Sequence, residues 1–282
     1  MRYAIISDIH SNLHALQSAI SIIDTLNIDT ICCLGDVVGY NAFPCECIDL
    51  LKNHSKVKHC IMGNHDFYAV DGLRFSNLND QAYECLVYST QQLNQDKNKD
   101  KKMWLDLCKT EEVIEDLKCK FLMVHGHPVD PMMYILEHFS AASAIKDIKE
   151  RGIHFCFYGH THLPSFASRD EKGNVKFYMQ QNITKSKFSI VNNDVVELDF
   201  SKVIDSHYFL INPGAIGQPR NKSSVGFGVF DTDKLTFRYR TFEYDIKAAS
   251  DAILKAGYSD SCANRLMGIP NKNKWIQKGW VK

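Results

Sequence analysis

Short apolar runs alternate with amphipathic stretches through the first 162 residues, and a polar break closes each run. Tyr3–Ser7 reads as a strand, after which Leu13, Leu16, Ile20 and Ile23 share one helical face ending near Leu26. Ile31, Cys32, Cys33 and Leu34 form a continuous apolar run, the pattern of a strand buried on both faces. A helix carrying Cys47, Ile48, Leu50 and Leu51 is predicted to start near Phe43-Pro44, since proline suits a first helical turn. Val57–Met62 completes a strand–helix–strand–helix–strand series, the spacing of parallel βαβ units. Residues 67–109 are polar and helix-like, with a charged break at Gln95–Lys102, and read as a helical cap or as further crossover helices.

Glu112–Leu117 and Lys120–Val124 pattern as strands, Met132–Arg151 as a helix through Ile135, Phe139, Ala142, Ile145 and Ile148, and Ile153–Tyr158 as a buried strand. Beyond His162 the chain changes to short strands and turns, among them Asp170-Glu171-Lys172-Gly173 and Asn192-Asn193, and this half reads as antiparallel. A last helix, Ile246–Ala256, precedes a polar tail over about 257–282, where Trp275 and Trp280 lie among lysines. With no internal repeat or low-complexity linker, the expectation is one α/β (α+β) domain over 1–282, built from two packed mixed β-sheets flanked by helices.

Composition narrows the function classes. The 33 basic and 33 acidic side chains balance, which argues against a surface built mainly to attract nucleic acid. No apolar run approaches the roughly 18 residues of a membrane span, and no signal segment precedes the first strand. Ten cysteines fall largely inside apolar runs or helical patterns without a Cys-x-x-Cys pair, which fits free thiols in a reducing cytoplasm.

The strand ends carry the chemistry. Asp8 and His10, Asp36, Asn64 and His65, His125, and His160 and His162 each follow a predicted strand. Right-handed crossovers bring successive parallel strand ends to one edge, where open α/β sheets bind ligands. Asp36 alone reads as a turn residue; in company with the others it reads as a ligand. Carboxylates, an amide oxygen and imidazoles make a mixed oxygen–nitrogen shell that suits Mn²⁺, Fe or Zn²⁺, with Ni²⁺ also open, better than Mg²⁺ or Ca²⁺. The ligands are too many for one ion, and a carboxylate can bridge two, the arrangement that clamps a phosphoryl group.

Asp8-x-His10, Gly35-Asp36, Gly63-Asn64-His65-Asp66, His125 and Gly159-His160-x-His162 resemble, in order, the five motifs of the calcineurin-like metallophosphoesterases. Asn212-Pro213-Gly214-Ala215 is similar to the Asn-Pro-Gly-Ser turn of their small bacterial and archaeal branch. The resemblance implies a metallophosphoesterase sandwich in which Asp8, His10 and His162 hold one metal, and Asn64, His125 and His160 a second. Asp36 would bridge them, His65 would act on the substrate, and Asp66 would orient His65. The implied activity is hydrolysis of small phosphate mono- or diesters by metal-activated hydroxide.

Protein serine/threonine phosphatases carry Gly-Asp-x-Val-Asp-Arg-Gly, whereas this chain reads Gly35-Asp36-Val37-Val38-Gly39-Tyr40. Phosphate contacts therefore fall to other groups, with Arg220 and Asn12 as candidates; the alternatives are a surface arginine and a helix cap. His127 is left outside the metal shell. A nuclease of the same superfamily and a non-catalytic protein-interaction scaffold are the competing functions. Neutral charge argues against the first, and the full set of ligands with His65 against the second. A homodimer is the default oligomer.

Overall fold

The structure is a computed structural model that describes residues 1–71, 78, 80–192, 195–220 and 225–267. Asn193 of the expected hairpin turn, Trp275 and Trp280 lie outside the described residues. The first sheet starts with β1 (Arg2–Ile6), β2 (Thr30–Cys33) and β3 (Val57–Cys60), which run parallel. Their crossovers are α1 (Leu13–Thr25) and α2 (Pro44–Asn53). The helices α3 (Asn64–Asp71), α4 (Asp80–Leu93) and α5 (Lys99–Asp106) follow. Their Ala69, Ala82, Cys85, Leu86, Leu93 and Leu105 join the apolar cluster that also buries the inner faces of α1 and α2.

The second sheet opens with the antiparallel pair β4 (Glu111–Glu115) and β5 (Lys120–Val124), then α6 (His138–Glu150) leads to β6 (Phe155–Phe157). After β6 come β7 (Ser165–Arg169), β8 (Val175–Met179), β9 (Ser189–Asn192), β10 (Val195–Asp199), β11 (Tyr208–Asn212), β12 (Gly226–Asp231) and β13 (Thr236–Thr241). The seven-stranded sheet has the order β3-β2-β1-β12-β13-β10-β9, and the six-stranded sheet the order β4-β5-β6-β11-β7-β8. The C-terminal half is thus shared between both sheets. Most of its pairings are antiparallel, but β11 runs parallel to β6 through Phe209↔Phe155 and Ile211↔Phe157. Phe209, Leu210 and Ile211 are all fully buried, so β11 takes a central place that an edge-forming hairpin strand would not.

Alternation along the strands sorts side chains into three apolar layers. In β1, Tyr3 and Ile5 face the second sheet, while Ala4 and Ile6 face the helices. In β6, Phe155 and Phe157 face the first sheet, and Cys156 faces α6. The layer between the sheets is unusually aromatic. Phe230 packs against Phe121, Phe155 and Phe157 at centroid distances of 5.7, 5.0 and 5.1 Å. Sheets held face to face in this way present their strand ends along one common rim.

Two expected elements are revised. The helix read over Met132–Arg151 begins only at His138, because the preceding backbone is used elsewhere. The Met133 carbonyl accepts from the His127 amide at 3.1 Å, and the Met132 carbonyl meets the His160 ring at 3.1 Å. Phe139, expected on the buried face, is 80% exposed. The segment read as a polar tail contains α8 (Asp260–Met267), which packs against α7 (Ile246–Lys255) and buries Cys262, Ala263 and Leu266.

Phe230→Ala should cost about 3–5 kcal/mol in urea unfolding, the range for truncating a buried aromatic. Phe139→Ala should change stability by less than about 0.5 kcal/mol, as expected of an exposed site. Equal effects would contradict the layer assignment.

Candidate metal centre

The candidate ligands sit on strained turns just past their strands. Asp8, His10, Asp36, His160 and His162 have φ of 52°, 48°, 53°, 63° and 58°, all left-handed. Each such non-glycine residue costs about 1–3 kcal/mol and persists only where its surroundings over-determine it. Here they do. The Asp8 and His10 amides donate to the Gly35 and Asp36 carbonyls at 3.1 and 2.9 Å, lacing the turn after β1 to the turn after β2. Gly63 is required by close approach, since a Cβ there would collide with the Asp36 carboxylate.

Both sheets contribute. Asp8, His10, Asp36, Asn64 and His65 follow strands of the first sheet, while His125, His160 and His162 follow β5 and β6 of the second. The Asn212–Ala215 turn joins the two. Asn212 Nδ2 donates to the Gly159 carbonyl at 2.8 Å and to Thr161 Oγ1 at 3.0 Å. Immediately beyond, the Ile216 and Gly217 amides donate to the carbonyls of Ser7 and Asp8, each at 2.9 Å.

Backbone carbonyls fix the imidazole tautomers. A carbonyl only accepts, so each ring nitrogen facing one carries a proton, and in the neutral ring the other keeps its lone pair. Nδ1 of His10 donates to Val38 (3.0 Å), Nδ1 of His125 to Leu34 (2.8 Å), and Nδ1 of His162 to Gln218. Their Nε2 atoms point inward. His160 is reversed, with Nε2 on Met132 and Nδ1 left for the centre.

The result is a pocket of converging acceptors. His10 Nε2 and His162 Nε2 lie 3.1 Å apart. Burial holds both rings well below the ordinary histidine range, so neither donates to the other. Asp8 Oδ1 lies 3.4 Å from His162 Nε2, and Asp36 Oδ2 lies 3.5 Å from His10 Nε2. On the other side, His125 Nε2 is 3.2 Å from Asp36 Oδ2 and 3.1 Å from Asn64 Oδ1. Two groups thus offer ligand atoms within 4.8 Å of one another: Asp8, His10, Asp36 and His162; and Asp36, His125 and His160. Asp36 belongs to both.

The electrostatics fit cations in this pocket. Burial raises Asp8, and it lowers His160 to about 3 with help from the neighbouring His125. Burial alone would lower His125, but Asp36, backed by Asp8, lifts it to about 10. Burial alone would raise Asp36, yet His125, His65 and His10 hold it well below the usual carboxylate range. A proton on His125 therefore does what a cation does: it satisfies Asp36 and Asn64 together. The donor chemistry, the lone-pair convergence and the buried Asp8 Oδ2 without a hydrogen-bond donor all suit divalent ions.

The family model of the calcineurin-like phosphoesterase superfamily domain matches residues 1–235. The chain belongs to that superfamily. It is 30% identical over 267 residues to an uncharacterized protein of Methanocaldococcus jannaschii, covering 93% of this chain and 96% of that one. A metallophosphoesterase from Sphaerobacter thermophilus is similar in structure at a TM-score of 0.70 and 28% identity, over 95% of this chain and 98% of that one. A hypothetical protein from Pyrococcus horikoshii OT3 shares the fold at a TM-score of 0.70 and 20% identity, over 94% and 97%.

Around this candidate centre, five further residues singled out in the sequence take different places. His65 lies against it: its amide donates to Asp36 Oδ1 at 2.8 Å, and its ring meets His10 edge-on at 4.7 Å. Burial lowers His65 from the ordinary histidine range, against the neighbouring Asp36 carboxylate. Asp66 does not orient it. Both Asp66 oxygens accept backbone amides, from Val38 and from Gly63, each at 3.0 Å, and so tie the turns after β2 and β3 together. Asn12 does not face the centre either, because its side chain caps α1 on the Ala15 amide and donates to the Gly217 carbonyl. Arg220 sits at the rim, where Nη2 donates to the Tyr134 hydroxyl at 3.3 Å. His127 is buried but belongs to neither ligand group.

Two aromatic residues went unrecognised in the sequence. Tyr134 stacks on His160 at 4.0 Å and 12°, and Tyr40 packs on His10 and His65 at 4.7 and 4.8 Å. Tyr134 was hidden because the apolar spacing around it also reads as helix. The glycine before Tyr40, at φ 99°, was the available signal for the second.

Metal uptake requires neutral imidazole, so the His125 proton must leave. At pH 7, Mn²⁺ binding to metal-free protein should release at least one proton and weaken as pH falls. Titration calorimetry in buffers of different ionisation enthalpy should then give different heats. Identical heats would contradict the protonated His125.

Proposed function

We propose that this protein is a dinuclear metal-dependent hydrolase of small phosphate esters. The observation that carries this reading is the Asp36 carboxylate shared by two ligand groups. Asp8, His10 and His162 would hold one ion, Asn64, His125 and His160 the other, with Asp36 between them. The donor set suits Mn²⁺, Fe or Zn²⁺. When bound, the two ions supply positive charge to clamp phosphoryl oxygens and lower the pKa of water.

The protein's own groups do the rest. His65 is fixed through its backbone on Asp36, and its buried Nδ1 has no hydrogen-bond partner. It is the group that orients the phosphate or hands a proton to the leaving oxygen. Arg220, held over Tyr134 at 5.4 Å from the ring centroid, supplies a guanidinium at the rim for a non-bridging phosphate oxygen. Buried turns around the ligands exclude bulk water from all but the substrate side.

Metal-stripped protein reloaded with each ion in turn should hydrolyse aryl phosphate mono- or diesters with at least one of them. No hydrolysis at full metal occupancy would overturn the reading. His65→Asn should lower kcat by roughly 10²–10⁴-fold while metal content stays unchanged, the range for losing a general acid. Unchanged kcat would remove His65 from the chemistry.

A further inference from the structure

All ten cysteines are free thiols, and one pair stands apart. Cys85 on α4 and Cys262 on α8 face each other with their Sγ atoms 3.8 Å apart, although 177 positions separate them in sequence. Both are buried. Cys262, 6% exposed, also lines a small cavity with Tyr40, Gln81, Gln218 and Arg265. We propose that Cys85 and Cys262 are a reversible dithiol–disulfide pair that cross-links α4 to α8 and couples oxidation to the centre through Tyr40.

The surroundings favour chemistry at Cys262. Ser259 Oγ lies 3.5 Å from its sulfur, and Glu84 accepts from that hydroxyl at 2.7 Å and from the Ser259 amide at 2.7 Å. Glu84 Oε2 also lies 3.5 Å from the Cys262 sulfur, within reach of its proton. The neighbouring Cys85 thiol, as a donor, draws Cys262 down to about 7, with Ser259 adding to it against burial and the Glu84 carboxylate. Thiolates are the reactive form, so Cys262 is the attacking sulfur and Cys85 the resolving one.

Hydrogen peroxide supplies the two-electron oxidation that the pair needs. The Cys262 thiolate attacks one peroxide oxygen, the O–O bond breaks, and the departing hydroxide takes a proton to leave as water. Cys85 sulfur then attacks the sulfenic sulfur. The S–O bond breaks, the Cys85 proton leaves with the hydroxide as a second water, and the S–S bond forms. Two thiols and one peroxide give one disulfide and two waters.

The link to the centre runs through Tyr40. The one Cys85 thiol proton is shared between the Tyr40 carbonyl at 3.4 Å and the Cys262 sulfur at 3.8 Å. Disulfide formation removes that donor and draws the sulfurs together to about 2.05 Å. Tyr40 holds a left-handed backbone at φ 54° and packs on both His10 and His65. Loss of its tether should lower turnover by roughly fivefold, the effect of a modest hydrogen bond on a rate.

The test treats the full chain with hydrogen peroxide and follows it by mass spectrometry. The expected result is loss of the mass of two hydrogen atoms, a Cys85–Cys262 cross-linked peptide, and full reversal by dithiothreitol. Cys262→Ser and Cys85→Ser should each abolish that cross-link, with circular dichroism confirming that the variants fold. A cross-link between other cysteines, or Cys262 recovered as sulfinic acid with Cys85 still a thiol, would overturn the proposal. An intact cross-link with unchanged turnover would overturn the coupling through Tyr40. The mass readout does not depend on phosphoesterase activity, so failure of either reading is seen separately.

Discussion

The carboxylate of Asp36 lies between His10, carried past β1 of one sheet, and His125, carried past β5 of the other. Its second oxygen accepts the amide of His65, so a single side chain touches three of the five strand-end turns. The backbone around it is arranged accordingly, with Gly63 leaving room for the carboxylate and a left-handed turn aiming it inward. Strain on that turn is held by the bonds between the turns after β1, β2 and β3, to which Asp66 adds one through the Val38 amide.

Such placement needs two sheets in fixed register. The aromatic layer between them, centred on Phe121, Phe155, Phe157 and Phe230, sets their face-to-face contact. The Asn212 turn and the Ile216–Gly217 amides then lock the strand ends of the second sheet onto β1. Packing energy and ligand geometry are therefore parts of one construction. The same close-packed layer that excludes water from the core leaves the rim polar groups facing one another with too few protons among them. A cation is the group that resolves this.

Much of this was legible in the sequence, and for identifiable reasons. Buried strands such as Ile31–Leu34 read clearly because both faces are apolar, and the polar residue that ends each of them is conspicuous. The candidate ligands could be read as a set because parallel topology brings strand ends together. What escaped was tertiary. Asp66 looked like a partner for His65 because they are adjacent, but adjacent residues on a helix point apart, and its oxygens are taken by backbone. Asn12 looked like a contact and serves as a cap. Tyr134 sits in a segment whose spacing imitates a helix while its carbonyls hold His127 and His160. α8 is amphipathic but polar on average, so its short buried stripe did not stand out.

The central claim is that one carboxylate serves two metal ions. Elemental analysis of purified protein loaded with Mn²⁺, wild type beside Asp36→Ala, tests it most directly. The account predicts two ions per wild-type chain and at most one in the variant, with both proteins folded by circular dichroism. Two ions retained in Asp36→Ala would contradict it.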